Sequence, residues 1–293
     1  MKKVTFFVGE TPLVGDLYGV AEGAPRPAVA IIGPMTYVKE QAPTEYAKRL
    51  GEMGFVALAF DARYRGESGG EPRAWENSAH KLEDLKAAIA YLKSRSDVDA
   101  DRVSILGICQ GSSVAFRAAA EADGVHALAT IAGQYRDHEG DVTWLTEGGL
   151  AARKTQGEKA KAKYEETGEV DYVKAVDRTD MNVGMPGEFV WVWYQPWADR
   201  GVWDNRYAVM SDADLLAFES ISAADSLETP WLMIHGDQCF LPAAARRHME
   251  AVPSSTPTRT IWNDTPHLAY YDQSEVIDGA AREVADWFQS NER

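Results

Sequence analysis

Cys109 and His267 are of the residue types that carry nucleophilic catalysis, and each lies in a sequence context that suits this role. Cys109 is the centre of the pentapeptide Gly107-Ile108-Cys109-Gln110-Gly111. Glycines two positions before and after it permit a tight strand-to-helix turn that directs the central side chain into a pocket. A thiol at the beginning of a helix and beside a histidine should have a lowered pKa, because both neighbours stabilise the thiolate. The motif predicts a cysteine nucleophile.

A base and an orienting acid should follow this nucleophile in the order nucleophile, acid, histidine. Asp237 comes just after a predicted strand, in a loop that would project its carboxylate toward the site. His267 lies in a turn before the last predicted helix, whereas His248 falls in helical sequence beside two arginines and is expected at the surface. The sequence therefore predicts a triad of Cys109, His267 and Asp237, with His267 as the general base.

An oxyanion hole requires two main-chain N–H donors aimed at the reacting carbonyl oxygen. The turn at Cys109 supplies the amide of Gln110. The second donor should come from the loop that follows the strand predicted at 28–32. Pro34 has no N–H, so Met35 or Thr36 must provide it.

The elements that would position these residues alternate between short apolar runs and amphipathic helical segments, after an N-terminal hairpin over 4–20. Such alternation is typical of an α/β fold with a mostly parallel central sheet flanked by helices. We predict strands over 28–32, 55–60, 103–106, 126–131, 231–234 and 258–262. We predict helices over 42–53, 82–92, 112–122, 242–252 and 276–289.

The alternation stops at residue 134 and resumes near 222. The intervening segment, 134–221, is charged and rich in aromatic residues and contains no run that predicts a buried strand. We expect residues 1–133 and 222–293 to form one core and 134–221 to form a helical lid. Two independent domains are the alternative, but the last strands and helix complete the first sheet better than they stand alone.

Composition excludes several function classes. Lysine and arginine number 30 against 45 aspartates and glutamates, a net charge of −15 that disfavours nucleic acid as a partner. No apolar run reaches the ~18 residues of a membrane span, and the N-terminus predicts a strand in place of a signal peptide. Two cysteines fit a reducing compartment, so we expect a cytoplasmic protein in which Cys239 has a structural or pocket-lining role. Association into a homodimer is compatible with the sequence.

The chain resembles the dienelactone-hydrolase-like branch of the α/β hydrolases. The likeness rests on the motif at Cys109 and on the stretches at 33–41 and 265–272, and 61–70 is the kind of loop that this superfamily has after the following strand. It covers both halves of the core but not the aromatic segment. The resemblance implies a Cys–His–Asp triad that works without a metal or organic cofactor. Relatives of this branch include esterases, and hydrolases or acyl transferases that act on polyketides.

The aromatic residues of 134–221 suggest a substrate with a bulky apolar or aromatic acyl group. The alternative is that these residues form only the core of the lid. Under the first interpretation, the residues expected to contact substrate are Tyr37, Trp144, Trp191, Trp193, Trp197 and Trp203.

The predicted reaction is cleavage of a carboxylic ester, lactone or thioester through an acyl-cysteine intermediate. Acyl transfer or cyclisation is the first alternative, since an amine or alcohol could compete with water for the acyl group under a lid. Cleavage of a C–C bond in a β-diketone-like polyketide is another. A binding protein without activity on the same fold is the alternative from a different class. No pair of histidines has the spacing of metal ligands, so no metal site is predicted.

Overall fold

A computed structural model describes residues 1–20 and 23–291 of the chain. Its centre is an eight-stranded sheet with the order β1-β2-β4-β3-β5-β6-β11-β12. The first two strands form an antiparallel hairpin, and β2 is also antiparallel to β4, while the other neighbours are parallel. The strands of the sheet are β1 Lys2–Val8, β2 Thr11–Tyr18, β3 Arg26–Ile32, β4 Val56–Phe60, β5 Val98–Ile108, β6 Leu128–Ile131, β11 Trp231–His235 and β12 Thr258–Trp262.

Helices cover both faces of this sheet, as the predicted α/β fold requires. Alternate residues of β3 belong to opposite cores: Ala30 and Ile32 pack with one set of helices, and Val29 and Ile31 with the other. A parallel strand buried on both faces is apolar at every position, which is why these runs lack alternation in the sequence. The helices of the core are α1 Ala42–Glu52, α2 Ser78–Lys93, α3 Gly111–Glu121, α7 Pro242–Ala251, α8 Ala269–Asp272 and α9 Ser274–Ser290.

The fold class predicted from the sequence is confirmed, and most predicted elements end within a few residues of the observed ones. The strand before Cys109 is the largest exception, because β5 begins at Val98, five residues before the expected start. Its first half is partly exposed and charged, so hydrophobic pattern alone did not reveal it.

Residues 134–221 lie between β6 and β11. Besides helices, this segment contains four strands of two residues each, which the hydrophobic pattern did not predict. They pair as β7 with β10 and β8 with β9. The first helix changes direction at Thr146, whose φ is 61°. The elements of the segment are α4 His138–Thr167, β7 Tyr172–Val173, β8 Val176–Asp177, β9 Met185–Pro186, α5 Glu188–Asp199, β10 Tyr207–Ala208 and α6 Ser211–Leu215, and a 3₁₀ turn over Ile221–Ser226 follows it.

Candidate active site

Cys109 occupies a strained turn between β5 and α3. Its φ is 53°, a left-handed conformation that is costly for a residue other than glycine. The flanking glycines permit it: a Cβ at Gly107 would lie 2.7 Å from Cβ of Ala115, and one at Gly111 would lie 2.5 Å from the carbonyl oxygen of Ile32. The spacing recognised in the sequence therefore has a steric cause, and the turn holds the thiol at the carboxyl edge of the sheet.

Three hydrogen-bond donors surround the thiol of Cys109. They are the hydroxyl of Tyr271 and the main-chain N–H groups of Gln110 and Met35. Burial raises the pKa of the Cys109 thiol. The three donors lower this pKa, Tyr271 most and Met35 least, but they do not cancel the effect of burial. The expectation of a lowered thiol pKa is therefore wrong. The thiol is in an apolar pocket, and its neighbouring histidine is uncharged, so desolvation outweighs the helix N-terminus.

The loop after β3 presents Met35, and not Thr36, to the thiol. The N–H of Thr36 instead donates to Oε2 of Glu76 at 3.1 Å. Two aromatic side chains from the segment 134–221 fix the loop from the other side. The hydroxyl of Tyr194 donates to the carbonyl oxygen of Met35 at 2.6 Å, and the indole N–H of Trp203 donates to the carbonyl oxygen of Thr36 at 2.6 Å.

The side chain of Gln110 is held behind the site. Its Oε1 accepts from Nζ of Lys81 at 3.2 Å, and its Nε2 donates to Oγ of Ser78 at 2.8 Å. Lys81 also forms a buried ion pair with Glu76, the carboxylate that receives the amide of Thr36. One buried cluster thus restrains both loops that direct N–H groups toward Cys109.

His267 contacts Tyr271 and a main-chain amide. Its Nε2 lies 2.9 Å from the hydroxyl of Tyr271, and its Nδ1 accepts from the N–H of Phe240 at 3.2 Å. Burial lowers the pKa of His267 to about 3, with a smaller contribution in the same direction from His235. The ring is therefore neutral at physiological pH.

Asp237 does not reach His267. Its side chain is 60% exposed and forms an ion pair of 2.6 Å with Arg246 of α7. Among residues 1–20 and 23–291, no carboxylate hydrogen-bonds the ring of His267. The structure thus corrects the predicted orienting acid, because the loop after β11 presents the main chain of Phe240 to His267 and turns Asp237 outward. Cys239 lies in the same loop and is buried, which raises its pKa to about 12.

His248 is also placed differently from its prediction. It is buried, its Nε2 lies 2.9 Å from Oγ of Ser220, and its Nδ1 lies 2.9 Å from the carbonyl oxygen of Ala244. Burial lowers its pKa to about 4. It belongs to a buried hydrogen-bonded network with Ser220 and Ala244 and does not line the pocket at Cys109.

The pocket at Cys109 has a volume of about 110 Å³ and walls that are mostly apolar. Part of its wall comes from the segment 134–221. Of the residues predicted to contact substrate, Trp144 lines it. The full lining is Met35, Cys109, Gln134, Trp144, Met185, Pro186, Phe189, Val190, Tyr194, Phe240, His267, Leu268 and Tyr271.

The other five predicted contacts lie outside this pocket. Trp203 holds the loop at Thr36, as described above, and Trp193 packs edge-on against Tyr271 at 5.0 Å. Trp191 and Trp197 stack with arginines of the same segment, Arg178 and Arg200. Tyr37 is buried beneath the loop, with Lys81 over its ring. Of the five, Trp203 and Trp193 contact residues that touch the site, whereas the arginine contacts of Trp191 and Trp197 lie within their own segment.

Tyr271, Phe240 and Tyr194 were not identified from the sequence. Tyr271 alone carried a usable signal, since it lies in α8 and follows His267, just before that helix, by four residues, a spacing that brings two helical side chains to one face. Phe240 acts through its amide, which side-chain patterns cannot reveal. Within the described parts of the chain, no group of three or more metal-binding side chains is present, and no helix is long and apolar enough to span a membrane.

The sheet order, the strained turn at Cys109 and the histidine after the last strand define the fold class of this chain, which is that of the α/β hydrolases. Its residues 16–146 match the model of the dienelactone hydrolase family, so the predicted resemblance is confirmed.

Solved structures and curated sequences agree with this class. The hypothetical protein PA2218 of Pseudomonas aeruginosa has a crystal structure that superposes with a TM-score of 0.82 at 23% identity, covering 99% of this chain and 93% of that one. The crystal structure of the α/β hydrolase GrgF from Penicillium sp. superposes with a TM-score of 0.78 at 19% identity, covering 99% and 98%. At these identities the likeness establishes the fold alone.

Sequence matches to curated relatives are higher in identity but partial. PA2218 is 41% identical over 133 residues, which is 44% of this chain and 36% of PA2218. A thiohydrolase of Eupenicillium brefeldianum is 34% identical over 94 residues, 32% of this chain and 30% of that protein. The polyketide transferase GrgF is 30% identical over 94 residues, 32% of each chain. The matched region spans about a third of each relative.

Proposed function

We propose that this protein cleaves acyl thioesters through an acyl-cysteine formed at Cys109. The observation that carries the proposal is the thiol itself, fixed in a left-handed turn with the amides of Gln110 and Met35 directed at it. Two such donors can hold the oxyanion that develops when the thiol attacks a carbonyl carbon.

The state of His267 favours thioesters over ordinary esters. Without a carboxylate on its ring and with a pKa of about 3, His267 is a weak base and a poor source of a proton for an alkoxide leaving group. A departing thiolate needs less help, because its conjugate thiol is far more acidic than the alcohol released from an ordinary ester. Exchange of one thioester for another is then nearly balanced in free energy.

Tyr271 provides the path for the proton in this proposal. As the Cys109 sulfur bonds to the acyl carbon, its proton passes to the hydroxyl oxygen of Tyr271, which gives its own proton to the departing sulfur. Nε2–H of His267 donates to the same oxygen and keeps it in place. The products of this step are the acyl-cysteine and a free thiol. Water then attacks the acyl carbon, and its proton returns to the Cys109 sulfur as the carboxylic acid leaves.

The pocket suits a short apolar chain or a single aromatic ring. A cavity of about 150 Å³ in another protein accepts benzene, and the pocket here is of comparable size at about 110 Å³. It is smaller than the bulky acyl group expected from the aromatic content of 134–221. Trp144, Phe189 and Phe240 would contact the acyl group, while Trp191 and Trp197 would not. The names of the related thiohydrolase and polyketide transferase fit acyl chemistry of this kind.

Acyl transfer is the second candidate, and one observation favours it. The N–H of Phe240 occupies Nδ1 of His267, so the neutral ring carries its proton on Nε2 and has no lone pair with which to activate water. Slow hydrolysis would prolong the life of the acyl-cysteine and allow an amine or alcohol to capture it.

The test uses benzoyl and butyryl thioesters of N-acetylcysteamine. Intact-protein mass spectrometry after rapid acid quenching should show one added acyl group, mapped by peptide analysis to Cys109. Cys109→Ala should form no adduct, whereas Cys239→Ala should form it at the wild-type rate. Adding a primary amine and measuring amide against free acid separates transfer from hydrolysis. Thioester cleavage that persists in folded Cys109→Ala would refute the proposal.

A further inference from the structure

A second cleft, on the opposite side of the loop that carries Met35, is rich in arginine. We call it the arginine cleft and define it by the residues that line it. Its volume is about 460 Å³. The lining residues are Val38, Tyr64, Arg65, Gly66, Arg73, Ala74, Gly201, Val202, Trp203, Asp204 and Arg206. Three guanidinium groups and one carboxylate leave this wall with a net positive charge in a protein whose overall charge is −15.

Arg65 is the most unusual of these side chains. It is only 3% exposed, and its contact within the protein is a long hydrogen bond of 3.4 Å from Nη1 to the carbonyl oxygen of Asp204. Its Nε and Nη2 meet no acceptor among the described residues. A buried guanidinium usually has a carboxylate or several carbonyl oxygens around it, since unmet donors are costly. Arg65 therefore has unmet donors beneath the wall of the cleft, and Glu76 and Asp204 are the carboxylates whose charges act on it.

Arg73 and Arg206 differ in how far their charge is neutralised. The guanidinium of Arg73 donates to the carbonyl oxygens of Gly66 and Ser68, at 2.8 and 2.5 Å, and to no carboxylate in the described chain. Arg206 pairs with Asp204 at 2.9 Å and stacks on Tyr172. Carbonyl oxygens fix the orientation of Arg73 without cancelling its charge. Arg73 is thus the guanidinium of the cleft wall whose charge no carboxylate of the described chain pairs with.

We propose that the arginine cleft binds a phosphate group, either free or as a phosphate monoester. Planar guanidinium groups bind the oxygens of a phosphate in pairs, with charge-assisted hydrogen bonds. Arg73 would contact the phosphate from the wall and Arg206 would approach it from the rim, while the buried Arg65 would add positive charge from beneath. The site is distinct from the pocket at Cys109, since the two cavities share no lining residue.

The position of the cleft connects it to the oxyanion loop. Trp203 lines the cleft, and its indole N–H donates to the carbonyl oxygen of Thr36, the neighbour of Met35. Val38, another lining residue, is three positions from Met35 on the same loop. A bound phosphate would therefore contact the outer side of the loop whose inner side faces Cys109.

The experiment measures phosphate binding directly, without any acyl substrate. Isothermal titration with sodium phosphate at constant ionic strength should give saturable binding, as should phenyl phosphate if an ester is accepted, while acetate should bind more weakly. Arg73→Gln should weaken phosphate binding by roughly tenfold or more, as the loss of a charge-assisted hydrogen bond implies. Arg259→Gln, which removes an exposed arginine paired with Glu283 on β12, should leave binding unchanged.

Further variants keep the test decisive. Arg206→Gln is the test variant if Arg73→Gln does not fold. It should weaken phosphate binding by a smaller factor, because Asp204 already neutralises part of the charge of Arg206. Cys109→Ala should bind phosphate as wild type does, so this result does not depend on the proposed thioester chemistry. Absence of saturable binding to the wild type would overturn the proposal. Equal binding by wild type, Arg73→Gln and Arg206→Gln would overturn it as well.

Discussion

The hydroxyl of Tyr271 lies between the ring of His267 and the thiol of Cys109. It is 2.9 Å from Nε2 of His267 and hydrogen-bonds the sulfur of Cys109. Because the N–H of Phe240 can only donate, Nδ1 of His267 must accept, and the proton of the neutral ring is on Nε2. The ring therefore donates to Tyr271, whose own proton points toward the sulfur. In this arrangement Tyr271 contacts the nucleophile, and His267 acts on the nucleophile through Tyr271.

Removing this hydroxyl should impair acylation. Tyr271→Phe keeps the ring that packs against Trp193 and His267, but it removes the donor on the Cys109 sulfur and the path for the proton. We expect the acylation rate to fall by about 10²-fold, within the range of general acid–base catalysis, with KM nearly unchanged. Stopped-flow release of thiol from a benzoyl thioester measures this rate.

Tyr270→Phe is the matched control. Its hydroxyl donates to Oδ1 of Asn263 at 2.9 Å, away from the pocket, so this variant should acylate as wild type does. Wild-type acylation by folded Tyr271→Phe would remove Tyr271 from the mechanism.

Asp237→Asn should have little effect on turnover. In enzymes whose aspartate orients the catalytic histidine, the same change costs about 10⁴-fold in kcat. Here the carboxylate of Asp237 faces solvent and pairs with Arg246, so only a surface ion pair is lost. His267→Ala should be severely impaired, because it removes the group that orients Tyr271. Steady-state kinetics on one thioester, with circular dichroism to check folding, compares the two. A large loss of activity in Asp237→Asn would restore the predicted triad.

The contrast between Cys109 and Asp237 explains how far sequence reasoning could reach. Glycines fix the conformation of the turn at Cys109 by local sterics, so five residues suffice to predict it. The side chain of Asp237 is oriented by a competition between His267, thirty residues onward, and Arg246 on the next helix. The sequence predicts that a loop follows β11 but contains no information on which partner prevails. The conformation of the turn at Cys109 was predicted correctly because neighbouring residues in the chain fix it. The orientation of Asp237 was predicted wrongly because distant partners decide it.

The helix α5 illustrates a second limit. The sequence predicts substrate contacts at the tryptophans of α5, yet Phe189, Val190 and Tyr194 line the pocket while Trp191 does not. Residues 190 and 194 are one helical turn apart and share a face, whereas 191 is rotated by about 100° from 190. Periodicity can therefore sort the residues of this helix into faces. It cannot say which face meets the pocket, because that depends on how the segment 134–221 packs on the core.

Tyr194 should contribute to catalysis through the oxyanion loop. Tyr194→Phe retains the ring in the pocket wall but removes the hydrogen bond of 2.6 Å to the carbonyl oxygen of Met35. The amide of Met35 would then be less precisely directed at the developing oxyanion. We expect kcat to fall roughly tenfold, less than the 10²–10³-fold that follows direct loss of an oxyanion donor, with little change in KM. Tyr91→Phe, at a surface hydroxyl that accepts from Arg95, is the control. A change confined to KM would indicate that Tyr194 acts only in binding.

Buried neutral histidines should make the fold sensitive to acid. Burial lowers the pKa of His267 to about 3 and that of His248 to about 4, whereas an unfolded histidine titrates near 6.5. Between these values the unfolded state binds more protons than the folded state, so the free energy of unfolding rises with pH across this window. The stabilisation is present above about pH 6.5 and is lost progressively as the pH falls toward 3 to 4.

Urea unfolding at pH 7.5, 6.0 and 5.0 measures this dependence. We expect the urea concentration at the midpoint to decrease as the pH falls below 6.5. The decrease should be shallower in His248→Gln, which retains the site at Cys109 but removes one of the buried rings. His138→Gln is the control, since that side chain is 70% exposed and lies outside the buried core. The comparison between variants matters because buried carboxylates such as Asp61, whose pKa burial raises to about 6, act in the opposite direction. An identical pH dependence in wild type and His248→Gln would contradict the assignment of His248 as a buried neutral histidine.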